Sequence, residues 1–268
     1  MNHPAELAIH QYMTDAVNGK STMSEEVINQ VANDIKDSLN RQFGGGNKRG
    51  DFRLRMSNIG RPTCQLWFQK NKPELAEAKS TNFMMNMMLG DIVEAVFKGL
   101  LRGAGVKYGE SERVELDLGD TKISGEYDLV IDGAVDDVKS ASGWSYDNKF
   151  ESCEKLSEGD GFGYIAQLVG YAKAAKKKVG GWWVVNKANG SFKYVSASSL
   201  DADKEIEKIK QTVNTVNANT FNTMLSIDCG FCEFKNSCWE NLIHKPAVLS
   251  KAKNPKIVSY ITLDEQYS

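Results

Sequence analysis

Two aspartates and a lysine in the middle of the sequence have the residue types of a hydrolytic centre that binds a hard metal ion. Asp128 is followed a few residues later by the triplet Asp137-Val138-Lys139. Mg²⁺ and Mn²⁺ prefer oxygen ligands, usually one to three carboxylates together with water and substrate phosphate. An amine beside the metal-bound water could orient or deprotonate this nucleophile, or offset phosphate charge. Lys139 is the candidate for that role.

The spacing of these residues would bring them together on neighbouring strands. Asp132-Gly133 is a turn signal between two strand-like segments, and it therefore predicts a β-hairpin. Asp128 and Asp137 would then lie side by side, while Asp137 and Lys139 would point to the same face of one strand. The main-chain carbonyl of Val138 is a further available ligand. An Asp-x-Lys triplet alone is weak support, because surface strands often carry alternating charges.

Glu94 and a pair of polar residues downstream could complete such a centre. The segment 83–101 is apolar nearly all round and predicts a buried helix, in which the Glu94 carboxylate would need a partner or a metal. The alternative is that Glu94 is an ordinary exposed helix residue. Gln167 and Tyr171 are four residues apart on a predicted helix and therefore share a face. Their polar ends could reach a phosphate backbone or the strand that carries Asp137.

Four of the five cysteines are spaced as ligands for a soft metal. Cys64 stands alone, whereas Cys229, Cys232 and Cys238 lie close together. A Cys-x-x-Cys pair binds either zinc or an iron–sulfur cluster, and the spacing by itself favours neither. Cys153 has no close partner in the sequence and is interpreted as a bystander.

The composition is that of an ordinary soluble globular protein. The 268 residues are 41% hydrophobic and 25% charged, with a net charge of −2. No apolar run is long enough for a membrane helix and the first residues do not resemble a signal peptide, so we expect a cytoplasmic protein with reduced thiols. Because the net charge is near zero, nucleic-acid binding would need local clusters of cations. The three histidines lie outside the predicted core, which argues against a His-dependent nuclease.

The order of predicted elements indicates an α/β fold with a mixed central β-sheet flanked by helices. Residues 1–50 are predicted to form a helical extension and a Gly-rich linker that begins at Gly44. Residues 51–241 would form the principal domain, and residues 242–268 a polar tail with a strand at 257–262. The principal domain is further predicted to contain strands at 112–118 and 121–124, a helix at 161–178, a hairpin through Asn189-Gly190 and a helix at 201–217.

These motifs resemble those of PD-(D/E)XK nucleases of the RecB type. The similarity runs from about residue 57 to 239 and rests on the Gly-x-x-x-Glu pattern ending at Glu94, on Asp128, on Asp137-Val138-Lys139 and on Gln167-x-x-x-Tyr171. The resemblance implies a restriction-endonuclease-like core. It also implies that the three carboxylates and the Val138 carbonyl bind Mg²⁺ or Mn²⁺, that Lys139 assists the water, and that Gln167 and Tyr171 support the site or contact DNA.

The same resemblance extends to the cysteines. RecB-like nucleases include AddB-type helicase–nuclease subunits and the iron–sulfur nuclease of CRISPR adaptation, which carry one cysteine before the nuclease core and three after it. The segment 57–64, which ends in Pro62-Thr63-Cys64, is similar to the first part of that pattern. A [4Fe–4S] cluster that staples a helical subdomain is therefore implied, with zinc as the alternative. Closing a loop of roughly 165 residues would remove entropy from the unfolded state, as a disulfide does.

The resemblance implies metal-dependent hydrolysis of DNA from its ends. We expect a phage-encoded exonuclease that prefers single-stranded DNA and acts in recombination, replication or host-DNA degradation, with no membrane partner. Ser140 and Trp144 are predicted to contact DNA together with Gln167 and Tyr171, Trp144 by stacking on a base. Core or lid packing is the other interpretation of Trp144. Two alternative functions remain, namely an endonuclease or nickase with the same centre and a non-catalytic, metal-stapled DNA-binding module.

Overall fold

Helices and strands follow one another in blocks along the chain. The computed structural model describes residues 3–44, 51–221 and 227–240, so the predicted linker beyond Gly44 and the tail with its strand at 257–262 lie outside the described residues. The helices are α1 (Pro4–Val17), α2 (Glu25–Phe43), α3 (Thr63–Asn71), α4 (Thr81–Gly103), α5 (Cys153–Ser157), α6 (Tyr164–Ala175), α7 (Ala202–Asn217) and α8 (Lys235–Glu240). The strands are β1 (Glu112–Asp117), β2 (Lys122–Tyr127), β3 (Leu129–Ile131), β4 (Ala134–Ala141), β5 (Lys178–Asn186) and β6 (Phe192–Ser196).

The central sheet has four strands in the order β3-β4-β5-β6 and is mixed, as predicted. The strands β4 and β5 are parallel, and the two outer pairs are antiparallel. A separate antiparallel ribbon of β1 and β2 leads into β3. Both predicted hairpins are present, and Asp132 and Gly133 in the first have φ values of 50° and 78°, as a tight two-residue turn requires. No described helix combines the length and apolarity needed to cross a membrane.

Side-chain caps define where three helices begin. Ser24 accepts a hydrogen bond from the Val27 N–H at the start of α2, and Ser80 accepts one from Phe83 at the start of α4. At the start of α7, Asp201 accepts from Lys204. Each cap satisfies a main-chain donor that has no partner within its own helix.

The helix α6 is shorter than the predicted helix at 161–178. Lys176 adopts a left-handed conformation with φ of 55°, and the N–H of Lys177 bonds to the Ala172 carbonyl at 3.0 Å. This arrangement ends the helix and lets β5 start at Lys178. The α6 helix therefore connects the parallel strands β4 and β5, and it packs on one face of the sheet.

The two faces of the sheet are covered by different sets of helices. Leu168 of α6 and Ile209 of α7 pack with Val135 and Trp182 on one face. On the other face, residues of α1 and α4 pack with Val138 and Trp183, and this cluster contains Ile9 and Phe97. The adjacent residues Trp182 and Trp183 serve opposite cores because successive side chains of a strand alternate between its faces.

The prediction that α4 is buried on all sides is wrong for its first half. Phe83, Met85, Met87 and Leu89 are exposed, whereas the buried apolar residues begin at Ala95. At 23 residues the helix is about 35 Å long, and its second half is the part packed against the sheet and α2. The apolar composition of α4 did not show that its first turns extend beyond the elements that cover its second half.

Asp136 stabilises a β-bulge in β5, next to the predicted catalytic residues of β4. Val135 pairs with Val179 but Asp137 pairs with Trp182, so β5 has one extra residue at this point, a β-bulge. The Asp136 carboxylate accepts hydrogen bonds from the Gly181 N–H at 2.8 Å, the Tyr194 hydroxyl at 2.9 Å and the Trp183 indole at 3.3 Å. A Cβ on Gly180 would overlap this carboxylate. Burial raises the pKa of Asp136 to about 7, against the effect of its hydrogen bonds.

Replacing Asp136 by alanine should lower the free energy of unfolding by on the order of 3 kcal/mol, because three donors at a buried carboxylate lose their acceptor. Denaturant unfolding at neutral pH measures the loss. Asp120→Ala removes an exposed carboxylate from the β1–β2 turn and should change stability by less than ~0.5 kcal/mol. Superimposable unfolding curves for Asp136→Ala and the native protein would show that the carboxylate does not support the bulge.

Candidate active site

Three acidic side chains predicted to bind metal lie at one end of the β3–β4 hairpin. Leu129 pairs with Asp136, so the next step of the register brings Asp128 beside Asp137. The Asp128 carboxylate accepts a hydrogen bond from the Val138 N–H at 2.7 Å, which ties the end of β2 to β4. Glu94 reaches the same region from α4. Its charge raises the pKa of Asp137, and the charge of Asp128 raises the pKa of Glu94.

Burial and mutual repulsion make these carboxylates weaker acids than usual. Burial, followed by the charge of Asp137, raises the pKa of Asp128 to about 6. Burial also raises the pKa of Asp137, and burial together with Asp128 raises the pKa of Glu94. Three carboxylates held this way disfavour their own ionisation and therefore favour a nearby positive charge.

Two lysines supply positive charge at this cluster. The Lys139 Nζ lies 2.7 Å from Oδ1 of Asp137 and 2.5 Å from its Oδ2. Burial lowers the pKa of Lys139, but the charges of Asp137 and Asp128 outweigh burial and raise it overall. The predicted placement of Lys139 beside Asp137 on one strand face is therefore what the structure has.

Lys98 is the second lysine, and the sequence reasoning missed it. Its Nζ donates a hydrogen bond to Glu94 Oε1 at 2.6 Å, and its side chain is only 8% exposed. The signal was available, because Glu and Lys four residues apart on a helix face form such pairs. The Glu94 side chain is 33% exposed, so the pair is partly buried, with the lysine as its buried member.

The three acids have the oxygen donors that a divalent cation requires, but Glu94 and Asp137 contact lysines and Asp128 contacts the Val138 N–H. Asp137 Oδ2 is buried and accepts no hydrogen bond of acceptable geometry, although the Lys139 amine is close to it. Within residues 3–44, 51–221 and 227–240, no group of three or more His, Cys, Asp or Glu side chains is arranged to hold a metal ion. The acids are thus assembled as a charge cluster with Lys98 and Lys139.

Gln167 and Tyr171 meet on α6, as their spacing predicted. The Gln167 side-chain amide donates to the Tyr171 hydroxyl at 3.3 Å. Tyr171 is buried, and this burial is the main reason that its pKa rises to about 12. The charges of Asp137 and Asp128 also raise the pKa of Tyr171. A Cβ on Gly125 would lie only 2.6 Å from the Tyr171 ring, so β2 needs a glycine where this tyrosine packs.

Three other predicted residues lie apart from the carboxylate face. The Val138 side chain belongs to the opposite core, and only its main chain is near Asp128. Ser140 faces α4, where its Oγ would lie 3.6 Å from a Cβ on Gly90. Trp144 is 56% exposed, which excludes core packing and leaves its indole accessible to a ligand.

Tyr164 is a further neighbour of the site that sequence reasoning did not single out. The Lys139 Nζ lies 5.4 Å from the centre of its ring. The position of Tyr164 at the start of α6 is fixed by Asp160, whose Oδ1 accepts from the Tyr164 N–H at 3.0 Å. Only the fold could reveal this contact, because Lys139 and Tyr164 belong to different elements.

Cys64 on α3 lies near the segment 229–238, although no three of the described cysteines are arranged to hold a metal ion. None of the four thiols is in a disulfide, and burial followed by the charges of the other three raises the pKa of Cys64 to about 12. Burial and neighbouring cysteines likewise raise the pKa of Cys238 to about 12. Cys153 is buried elsewhere, in the core that contains α6, as expected of a bystander.

Non-covalent contacts also join α3 to the segment that follows α7. Phe68 and Phe234 stack with their ring centres 5.3 Å apart, and Cys232 and Cys238 pack against this small core. Glu233 accepts a hydrogen bond from the Gln69 side chain at 2.7 Å. The region is therefore a packed unit that brings thiols from distant parts of the sequence together.

Comparison with known proteins identifies the family. The family model of the PD-(D/E)XK nuclease superfamily matches residues 51–239. A search of curated proteins found no significant match. Among solved structures, one titled "Crystal structure of SSO0001" is similar, with a TM-score of 0.43 and 14% identity over 81% of this chain and 98% of that chain. Because the family model spans well over half of the sequence, the chain belongs to the PD-(D/E)XK nuclease superfamily.

Proposed function

We propose that this protein is a deoxyribonuclease that uses Mg²⁺ or Mn²⁺ to hydrolyse phosphodiester bonds. The observation that carries the proposal is the cluster of Glu94, Asp128 and Asp137 with the buried amine of Lys139. Family membership supports hydrolysis of nucleic acid by such a cluster. A non-catalytic DNA-binding module would have no use for buried acids whose mutual repulsion raises their pKa values.

The acids and the Val138 carbonyl are the groups that would hold the metal ion. Such an ion supplies a nucleophilic hydroxide and charge neutralisation at the phosphate. Glu94 and Asp137 would exchange their contacts with Lys98 and Lys139 for the cation. Hard oxygen donors match Mg²⁺ and Mn²⁺ better than they match soft metals.

Lys139 acts in this proposal mainly as a cation. Facing Asp137 and Asp128, its amine has a raised pKa and is protonated at neutral pH, so it cannot accept a proton from water in that state. It can donate hydrogen bonds to a phosphate oxygen and offset its charge. Tyr171, which is buried, would hold the α6 side of the site, and the partly exposed Gln167 would contact the DNA backbone.

The finer proposal is an exonuclease that prefers single-stranded DNA, with Ser140 and Trp144 among its DNA contacts. The exposed indole of Trp144 suits stacking on an unpaired base. Similarity to RecB-like enzymes supports action in phage recombination, replication or host-DNA degradation. The absence of a disulfide among the described cysteines is consistent with the reducing cytoplasm that we propose.

A second proposal concerns the cysteines, which we assign to a structural [4Fe–4S] cluster, with zinc as the alternative. Its support is the position of Cys64 near Cys229, Cys232 and Cys238, which follow the nuclease core in the sequence; all four thiols are partly exposed. Metal binding would displace the thiol protons, which the raised pKa values otherwise retain at neutral pH. The cluster would hold α3 against the segment 229–238.

Asp137→Asn should reduce cleavage of end-labelled linear DNA in Mg²⁺ on the order of 100-fold or more, because one charged ligand is lost. The fold should be retained, since removal of one of three repelling charges offsets the loss of the charged partner of Lys139. Asp147→Asn is the matched control, because Asp147 is an exposed carboxylate shortly after β4. Wild-type cleavage by Asp137→Asn would refute the proposed centre.

Closed circular DNA separates the exonuclease from the endonuclease. An enzyme that requires ends should leave circular single-stranded DNA intact for as long as it takes to degrade the linearised form completely. Gel electrophoresis of both substrates, incubated in the same tube, provides the measurement. Conversion of circles to linear molecules would replace the exonuclease proposal by a nickase or endonuclease with the same centre.

Cys232→Ser should give a protein without visible absorption near 400 nm and with a melting temperature lower by several degrees, because a cluster ligand is lost. Spectra and melting curves are recorded after anaerobic purification. Cys153→Ser is the control, and it should keep the spectrum because Cys153 lies in a different core. A colourless native protein that contains zinc would select the alternative metal, and an unchanged melting temperature would contradict the staple.

A further inference from the structure

A line of aromatic rings runs from the catalytic lysine toward the cysteine segment. The Lys139 amine lies 5.4 Å from the Tyr164 ring, and the centres of the Tyr164 and Phe162 rings are 5.7 Å apart. Phe162 is followed by Phe231, with ring centres 5.9 Å apart. The three rings come from α6, the loop before it and the turn Ile227–Phe231. We call Tyr164, Phe162 and Phe231 the aromatic track.

Two cations flank the middle ring of this track. The Arg61 guanidinium carbon lies 4.9 Å from the centre of Phe162, and the Lys149 amine lies 5.0 Å from it. These residues belong to different segments, one before α3 and the other in the π-helical turn Ser145–Lys149. Both cation–ring distances are within the range of cation–π attraction.

The outer end of the track is open to solvent. Phe231 is 75% exposed, whereas its neighbour Phe234 is fully buried against Phe68 and accounts for the packing of this segment. An exposed phenylalanine adds nothing to a core, and its ring face is available to a ligand. Exposure therefore decreases from Phe231 through Phe162 and Tyr164 toward the buried carboxylates.

Exposed ring faces combined with cations match one kind of ligand. Unpaired bases stack on aromatic rings while their phosphates interact with arginine and lysine, and this recognition does not depend on sequence. The bases of a duplex are already paired and stacked, so they cannot use the ring faces in this way. An acidic protein segment would use the cations but not the rings.

We propose that the aromatic track, with Arg61 and Lys149, binds two or three nucleotides of single-stranded DNA and guides the strand to Lys139. The proposal rests on the nuclease function proposed above and adds the residues that select single strands. A base would stack on the exposed ring of Phe231, and the following phosphates would lie beside Arg61 and Lys149, which already cover the Phe162 ring.

The track also gives the cysteine segment a role in substrate binding. Phe231 lies between Cys229 and Cys232, and the Cys232 N–H bonds to the Cys229 carbonyl at 3.0 Å. The short connection between these cysteines fixes where the ring of Phe231 stands relative to Phe162. Loss of order in this segment would remove the first stacking position without touching the carboxylates.

Binding measurements with Phe231 variants test the proposal. Fluorescence anisotropy with labelled oligo-dT and with a blunt duplex of equal length is measured in Ca²⁺, so that affinity is read independently of cleavage. Phe231→Ala should weaken single-strand binding about tenfold, the size expected for one lost stacking contact, and change duplex affinity less than about twofold. Phe231→Trp should restore single-strand binding because it again offers a ring face.

The chain offers a matched control in Phe83. This residue is also exposed, and the Lys79 amine lies 5.1 Å from its ring, but it belongs to the first turn of α4 and is not one of the three rings of the track. Phe83→Ala should leave both affinities unchanged. The proposal would be overturned if the two alanine variants had equal effects or if Phe231→Ala had none. It would also be overturned if the native protein did not bind single strands. A native protein that binds single strands through Phe231 yet cleaves nothing would uphold the track and refute the nuclease function instead.

Discussion

The attraction between carboxylates and amines that are largely removed from solvent is the interaction on which the candidate site depends. Glu94, Asp128 and Asp137 are brought close enough to raise one another's pKa values, which is costly unless positive charge is near. Lys98 and Lys139 supply that charge through contacts of 2.6 and 2.7 Å. This requirement for positive charge is the basis of the divalent cation that we propose for the site.

The fold is organised to bring these charges together from separate elements. The tight turn at Asp132-Gly133 sets the register that places Asp128 beside Asp137. The α6 crossover covers the face that carries Asp137 and Lys139, while α4 brings Glu94 from the other side. Asp136, directed away from the acids, fixes the bulge in β5 and thereby the alignment of the catalytic strand.

Local chemistry explains what the sequence could predict. The hairpin at Asp132-Gly133 follows from residues that accept positive φ, and the same-face placement of Asp137 and Lys139 follows from strand geometry. The meeting of Gln167 and Tyr171 follows from the helical repeat. Each of these features depends on residues a few positions apart.

Tertiary packing explains what could not be predicted. Apolar composition suggested that α4 is buried all round, but burial depends on neighbouring elements, and these support only its second half. The spacing of Glu94 and Lys98 in the sequence predicts that they pair. Only the fold shows that Lys98 is buried and that its charge acts on Asp128. The line from Lys139 through Tyr164 to Phe231 joins segments far apart in the chain, and no periodic pattern marks it.

Anomalous diffraction from crystals of the native protein soaked in Mn²⁺ tests the central claim most directly. The account predicts an anomalous peak within bonding distance of carboxylate oxygens from Glu94, Asp128 and Asp137, with Lys98 and Lys139 displaced from their present contacts. The account would be contradicted if Mn²⁺ at concentrations that saturate activity gave no peak among the three acids and left the lysine contacts unchanged.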